Sequence, residues 1–177
     1  MKSSSQKIIE FTMIYNRLKT RLYNYAFKML WDKMACEDII QNTFMKLFEN
    51  LEKINNSDRI EVWLFTTVRN QIYTLFRNKK VHVDQFSVAD ADQLEINSQL
   101  NLEEQYEELE MKELVMKELN KMPVEQREVF LLKEYGRFSY KEIAGMMEID
   151  VELVKSRLHK TREKLIKRMS EIIVDRD

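Results

Sequence analysis

The chain is predicted to be all-α: two small helical domains, an N-terminal helical bundle and a C-terminal helix-turn-helix domain, joined by a flexible acidic linker. Three observations carry this reading. Only two Gly and one Pro occur in 177 residues, so turn punctuation is sparse. Apolar residues recur at spacings of three and four along most of the chain, and the helix formers Leu, Glu, Lys, Met and Gln dominate. Charge is segregated although the net charge is only −1: residues 81–110 hold nine acids and no Lys or Arg, whereas 153–169 hold seven Lys or Arg against one Glu. Segregation on this scale fits a polyanion-binding end and an acidic connector, with two solvated helix faces as the alternative.

Phe11, Ile14, Tyr15, Leu18, Leu22, Tyr25, Ala26 and Met29 form one apolar stripe, predicting a first helix. A second starts near Cys36 and carries Ile40, Phe44, Leu47, Phe48 and Leu51. The segment "KINNSDR" interrupts the period with Asn55, Asn56, Ser57 and Asp58, residues that favour turns and helix N-caps. A third helix follows with Leu64, Val68, Ile72, Leu75 and Phe76 inward, so residues 1–80 form a compact bundle of three or four helices. Residues 81–101, rich in Asp, Ser and Asn and without helical period, read as a linker. Residues 102–177 make the second domain.

Within that second domain Pro123 suits the first turn of the helix "PVEQREVFLLKEY", and Gly136 can supply the left-handed residue that ends it. Ser139 followed by Glu142 is a capping box that opens a short helix bearing Ile143, Ala144 and Met147. Asp150 is an N-cap for the next helix, and Glu152 suits its positive dipole end. The break between the two helices is about three residues, and small Ala144 and Gly145 permit close approach; this describes a helix-turn-helix. In its second helix Val154, Leu158 and Leu165 face inward, leaving Lys155, Ser156, Arg157, His159, Lys160 and Arg162 on the remaining arc. Such a helix can enter the major groove, where Arg and Lys read guanine edges and neutralise phosphates. A solvated basic helix in an all-α domain is the competing interpretation.

Other classes find little support in the residues. No apolar run approaches the roughly 20 residues that cross a bilayer, and "MKSSSQKIIEF" lacks a signal-peptide core. With one Cys, Cys36, no internal disulfide is possible, so a cytoplasmic protein is expected. His82 and His159 are the only histidines, and neither a metal-ligand cluster nor a Gly-rich phosphate loop is visible. Neither a cofactor nor catalysis is expected.

The segment "MPVEQREVFLLKEYGRFSYKEIAGMMEIDVELVKSRLHKTREKLIKRM" resembles the C-terminal promoter-binding domain of extracytoplasmic-function (ECF) sigma factors, members of the sigma-70 family. "CEDIIQNTFMKLFENL" and "WLFTTVRNQIYTLFRNKK" resemble the signature helices of their N-terminal domain. The resemblance implies a bacterial initiation factor that binds core RNA polymerase and directs promoter recognition, DNA melting and transcription initiation. Residues 1–80 would then be sigma region 2 and residues 102–177 sigma region 4. The linker would thread towards the polymerase active centre, its acids imitating nucleic acid.

The resemblance also implies roles for individual residues. Asp38, Gln41, Asn42 and Met45 would face the polymerase, and their spacing does set them largely opposite Ile40, Phe44 and Leu47. Asn55, Asn56, Ser57 and Asp58 would hold a flipped base of the minus-ten element, chemistry that Asn, Ser and Asp can supply. Arg69, Asn70, Tyr73, Arg77 and Lys80 would contact phosphates and unpaired bases there, and Trp63 matches a further signature position. Lys155, Ser156, Arg157, His159 and Lys160 would meet the minus-thirty-five element, with Arg162 and Lys141 on phosphates. The family also admits an anti-sigma factor as a partner. Three residues depart from its pattern: Asn42 replaces a common acid, Glu148 stands where Gly is frequent in the turn, and Leu153 replaces a frequent Thr. A conventional helix-turn-helix regulator, binding duplex DNA without polymerase, is the alternative. It explains 139–169 but not the face from Asp38 to Met45. A purely helical adaptor would show no salt-sensitive DNA binding.

Overall fold

The structure, a computed structural model, describes residues 4–54, 57–78 and 102–174. It divides into two compact units, Met1–Phe86 and Ser87–Asp177. Asn55, Asn56, the 81–101 linker, His82 and Lys80 lie outside the described residues. Among the described residues all regular structure is helical.

The first unit contains α1 (Ser4–Leu30), α2 (Lys33–Asn50), a 3-10 turn (Leu51–Lys53) and α3 (Ser57–Asn78), each α-helix packing on the other two. Most of the stripe predicted for α1 is buried: Ile14, Leu18, Leu22, Tyr25, Ala26 and Met29 meet Cys36, Ile40, Phe44 and Leu47 of α2 and Leu64, Phe65, Val68 and Ile72 of α3 in the core, while Phe11 and Tyr15 are only half-buried. Each fully buried large apolar side chain stabilises by about 1.5–3 kcal/mol relative to exposure. Leu75 and Phe76 are only half-buried, near the end of α3. Polar bonds add register between helices. The Gln71 amide donates to the Thr43 hydroxyl at 2.7 Å, and Arg21 pairs with Glu61 at 2.7 Å.

Helix α2 begins at Lys33, three residues before Cys36, because Asp32 caps it by accepting from the Ala35 N–H at 3.0 Å. Trp31 makes the corner after α1 with φ 52°, a left-handed conformation that costs a non-glycine residue about 1–2 kcal/mol. Contact between the Trp31 and Phe27 rings, 5.4 Å between centroids, offsets part of that cost. Phe48, expected among the inward residues of α2, is 39% exposed. It lies at the edge of the stripe, edge-on to Phe11 and beneath the Lys7 ammonium.

The second unit contains α4 (Leu102–Asn120), α5 (Val124–Glu134), α6 (Tyr140–Met147) and α7 (Val151–Val174), with α7 packed against all three others. Met116, Leu119, Val129, Leu131, Leu132, Phe138, Ile143, Met147, Val154, Leu158 and Leu165 are its core. Pro123 precedes α5 as its N-cap rather than opening its first turn, and its carbonyl accepts from the Arg127 N–H at 3.1 Å.

Two expectations about glycine are corrected. The left-handed residue after α5 is Arg137, at φ 58°, not Gly136. Gly136 is required by space instead: a Cβ there would stand 2.6 Å from the Leu132 carbonyl oxygen and 2.7 Å from the Phe138 ring. Gly145 is exposed and a Cβ on it would meet nothing within 4 Å, so close approach in the helix-turn-helix rests on buried Ala144 alone.

Candidate nucleic-acid interface

The two helices α6 and α7 are set by local chemistry. The Glu142 N–H donates to the Ser139 hydroxyl at 3.2 Å while the Ser139 N–H donates to the Glu142 carboxylate at 2.7 Å, completing the capping box. Helix α6 ends at Glu148, whose φ of 55° and ψ of 43° are left-handed, so the turn does adopt the conformation glycine would favour. Asp150 then starts α7: its carboxylate accepts from the Leu153 N–H at 2.7 Å. Leu153 itself is exposed.

Burial of Val154, Leu158, Thr161 and Leu165 fixes which arc of α7 meets solvent. Lys155, Ser156, His159, Lys160 and Arg162 are exposed on it, Lys141 is exposed on α6, and Arg157 is half-buried. Three of the α7 residues have carboxylate partners. Lys155 pairs with Glu152 at 2.9 Å, His159 with Glu163 at 3.3 Å, and Arg162 with Glu134 of α5. The hydrogen bonds that Lys155 donates to Glu152 and Arg162 to Glu134 raise the pKa values of both cations. This surface can bind a polyanion through charge and offers donors for base edges.

Thr161, which sequence reasoning passed over, joins α7 to α5. Its hydroxyl lies 2.8 Å from the Arg157 carbonyl oxygen and 3.3 Å from that of Gln126, while Lys164 donates to the Gln126 side chain at 3.3 Å. A Thr among basic residues carries no sequence signal of this bond, although its position on the buried arc could have been read from the period.

On α3 the predicted stripe is partly self-engaged. The Arg69 guanidinium sits 4.4 Å from the centroid of Tyr73, and the Arg77 guanidinium donates to Thr74 at 3.2 Å. Asn70 and Arg77 are exposed, Trp63, Arg69 and Tyr73 half-buried. One face of the Tyr73 ring is thus covered by a cation, and the ring also meets Phe76, 5.8 Å between centroids. Ser57 and Asp58 lie within α3 from its first residue rather than in the loop before it.

On α2, Asp38, Gln41, Asn42 and Met45 are exposed together on one face. Met34, 78% exposed, and Phe48 extend it along the same line, at i, i+4, i+7, i+11 and i+14 through Asp38, Gln41 and Met45. Neither end residue was identified from sequence, where an apolar side chain at helical spacing reads as core. Cys36 lies on the buried face of this same helix, and burial pushes its thiol up to about 12, leaving it protonated. Among the described residues no cluster of His, Cys, Asp or Glu is placed to hold a metal ion, and no helix is long and apolar enough to cross a membrane.

The first unit thus presents a mixed polar and apolar helix face on α2, and the second a helix-turn-helix with a basic, exposed arc. Comparison with known proteins gives the family. The family model described as Sigma-70 region 2 matches residues 14–81, and that described as Sigma-70, region 4 matches residues 112–165. The ECF RNA polymerase sigma factor SigW of Bacillus subtilis (strain 168) is 27% identical over 169 residues, covering 92% of this chain and 90% of SigW. SigM of the same organism is 27% identical over 152 residues, covering 86% of this chain and 90% of SigM. Among solved structures, the sigma factor RpoE of Bartonella quintana, in complex with the anti-sigma factor NepR, superposes with a TM-score of 0.71. It is 23% identical, with 91% of this chain and 97% of that one covered. The chain belongs to the sigma-70 family, in its ECF group.

Proposed function

We propose that this protein is a transcription initiation factor of the ECF type, which binds core RNA polymerase and directs it to promoters. The observation that carries this reading is the presence, in order on one chain, of sequences matching sigma-70 regions 2 and 4. A regulator acting on duplex DNA alone would have no need of region 2, so that alternative is not favoured. Acting on polymerase, the protein works in the cytoplasm.

Residues 1–80, 81–101 and 102–177 are taken as region 2, tether and region 4. Asp38, Gln41, Asn42 and Met45 form the polymerase-facing surface, which Met34 and Phe48 enlarge. Arg69, Asn70, Tyr73, Arg77 and Lys80, with Asn55, Asn56, Ser57 and Asp58, serve the minus-ten element. Lys155, Ser156, Arg157, His159 and Lys160 serve the minus-thirty-five element, and Lys141 and Arg162 its phosphates. The exposed positions of the α2 residues, and of the α7 residues apart from half-buried Arg157, support these roles. Two modest affinities on one tether become effective when polymerase holds both units at promoter spacing. An anti-sigma factor is a further candidate partner, since RpoE, similar in fold, is in complex with one.

Run-off transcription with core polymerase on a randomised promoter pool tests the proposal. Sequence-selective initiation dependent on the protein is expected. Tight duplex binding without co-elution with polymerase would return the protein to the class of conventional regulators.

A further inference from the structure

Arg162 and Glu134 are 28 residues apart in sequence, yet their side chains pair between α7 and α5. The junction beside them is fixed by Thr161 and Lys164, which both bond to Gln126 of α5. These bonds, made two turns before Glu134, help hold α5 against α7 and keep Glu134 within reach of Arg162. The other two acids of the surface, Glu152 and Glu163, are neighbours of Lys155 and His159 within α7, held only by their own flexible side chains. Arg162 and Glu134 are 45% and 40% exposed, so a phosphate can reach the guanidinium and would then stand beside the carboxylate.

We propose that Glu134 is a built-in competitor for DNA phosphate: it occupies Arg162 in the free protein and lowers affinity for duplexes of any sequence. The proposal rests on the reading of α7 as the helix that meets the promoter. A phosphate approaching Arg162 must displace Glu134 and bear its repulsion, whereas donors facing base edges from Ser156 and Lys160 lie outside this pair. The penalty is blind to sequence, so its effect is to keep the unaccompanied protein off random DNA. Polymerase, holding both units on a promoter, supplies the binding energy that overcomes it.

The test is fluorescence anisotropy of the full chain with a random-sequence duplex from low to moderate salt, for wild type, Glu134→Gln and Glu113→Gln. In Glu134→Gln the new amide oxygen can still accept from Arg162, which preserves the junction, and circular dichroism melting checks that the fold is kept. Exposed ion pairs of this kind change affinity by roughly two- to fivefold, so Glu134→Gln is expected to bind about that much more tightly. The slope of log K against log salt should steepen by about 0.9, one further phosphate contact freed from internal competition. Glu113→Gln, which removes an exposed carboxylate from α4, should leave affinity and slope at wild-type values. Equal or weaker binding by Glu134→Gln with an unchanged slope would overturn the proposal and make Glu134 a support for Arg162. A matching gain from Glu113→Gln would also overturn it, since the effect would then be net charge alone. Failure of the wild type both to bind any duplex and to initiate with polymerase would sink the promoter-helix reading itself.

Discussion

The hydroxyl of Thr161, fully buried on α7, lies 3.3 Å from the backbone carbonyl oxygen of Gln126 on α5. One hydroxyl hydrogen is shared between that carbonyl and the Arg157 carbonyl 2.8 Å away, so one side chain ties α7 both to its own preceding turn and to α5. Lys160 and Arg162, the chain neighbours of Thr161, are both exposed, so the way α7 sits on α5 also sets where they point. Thr161→Val keeps the shape and deletes the bond, and is expected to cost about 1 kcal/mol of stability. It should reduce promoter-specific run-off, while Thr161→Ser, which keeps the hydroxyl, should not. Equal behaviour of the two variants would count against a role for this bond.

Gly136→Ala should destabilise the protein by about 1–3 kcal/mol through overpacking. The new methyl would stand 2.6 Å from the carbonyl oxygen of Leu132, a backbone atom that also accepts from the Phe138 N–H at 3.2 Å and so cannot yield. A chemical denaturation midpoint equal to wild type would contradict this.

Glu148→Gly should act in the opposite direction. At φ 55° a side chain costs about 1–2 kcal/mol, and glycine's extra unfolded-state entropy returns about 0.5–1 kcal/mol of that. A net gain of roughly 0.5–1 kcal/mol, seen as a higher melting temperature, is expected.

The α2 face separates binding from stability. Met45→Ala or Asp38→Ala alters an exposed side chain, so stability in thermal melts should stay within about 0.5 kcal/mol of wild type. If this face docks on polymerase, an interface anchor such as Met45 is worth more than about 1 kcal/mol, or roughly fivefold in affinity. Titration of labelled protein with core polymerase measures it, and full affinity in the double variant would remove these residues from the interface.

Lys160→Ala should weaken upstream-element use and lower the salt slope of DNA binding by about 1 if the side chain holds a phosphate. If it reads a base instead, crossing the variant with promoter mutations should show coupling at one base pair.

Much of this architecture was legible before any coordinates. The apolar stripe of α1, the capping box at Ser139 and Glu142, and the cap at Asp150 are interactions within one or two helical turns. The exposed setting of Lys155, Ser156, Lys160 and the Asp38 to Met45 face follows from the same period, because burial of one arc dictates the other.

What escaped was settled by contacts between elements. Phe48 fits the apolar period, but the place where α1 ends its contact with α2 leaves the ring partly in solvent. Gly136 looked like a backbone requirement, and the Phe138 ring turned it into a requirement for space. The pairs of Thr161 with Gln126 and of Arg162 with Glu134 bridge 35 and 28 residues. Capping and periodicity act over a few residues and are written in order along the chain. The rotation at which two helices dock is chosen by the whole core at once, and only that choice brings such distant side chains within bonding distance.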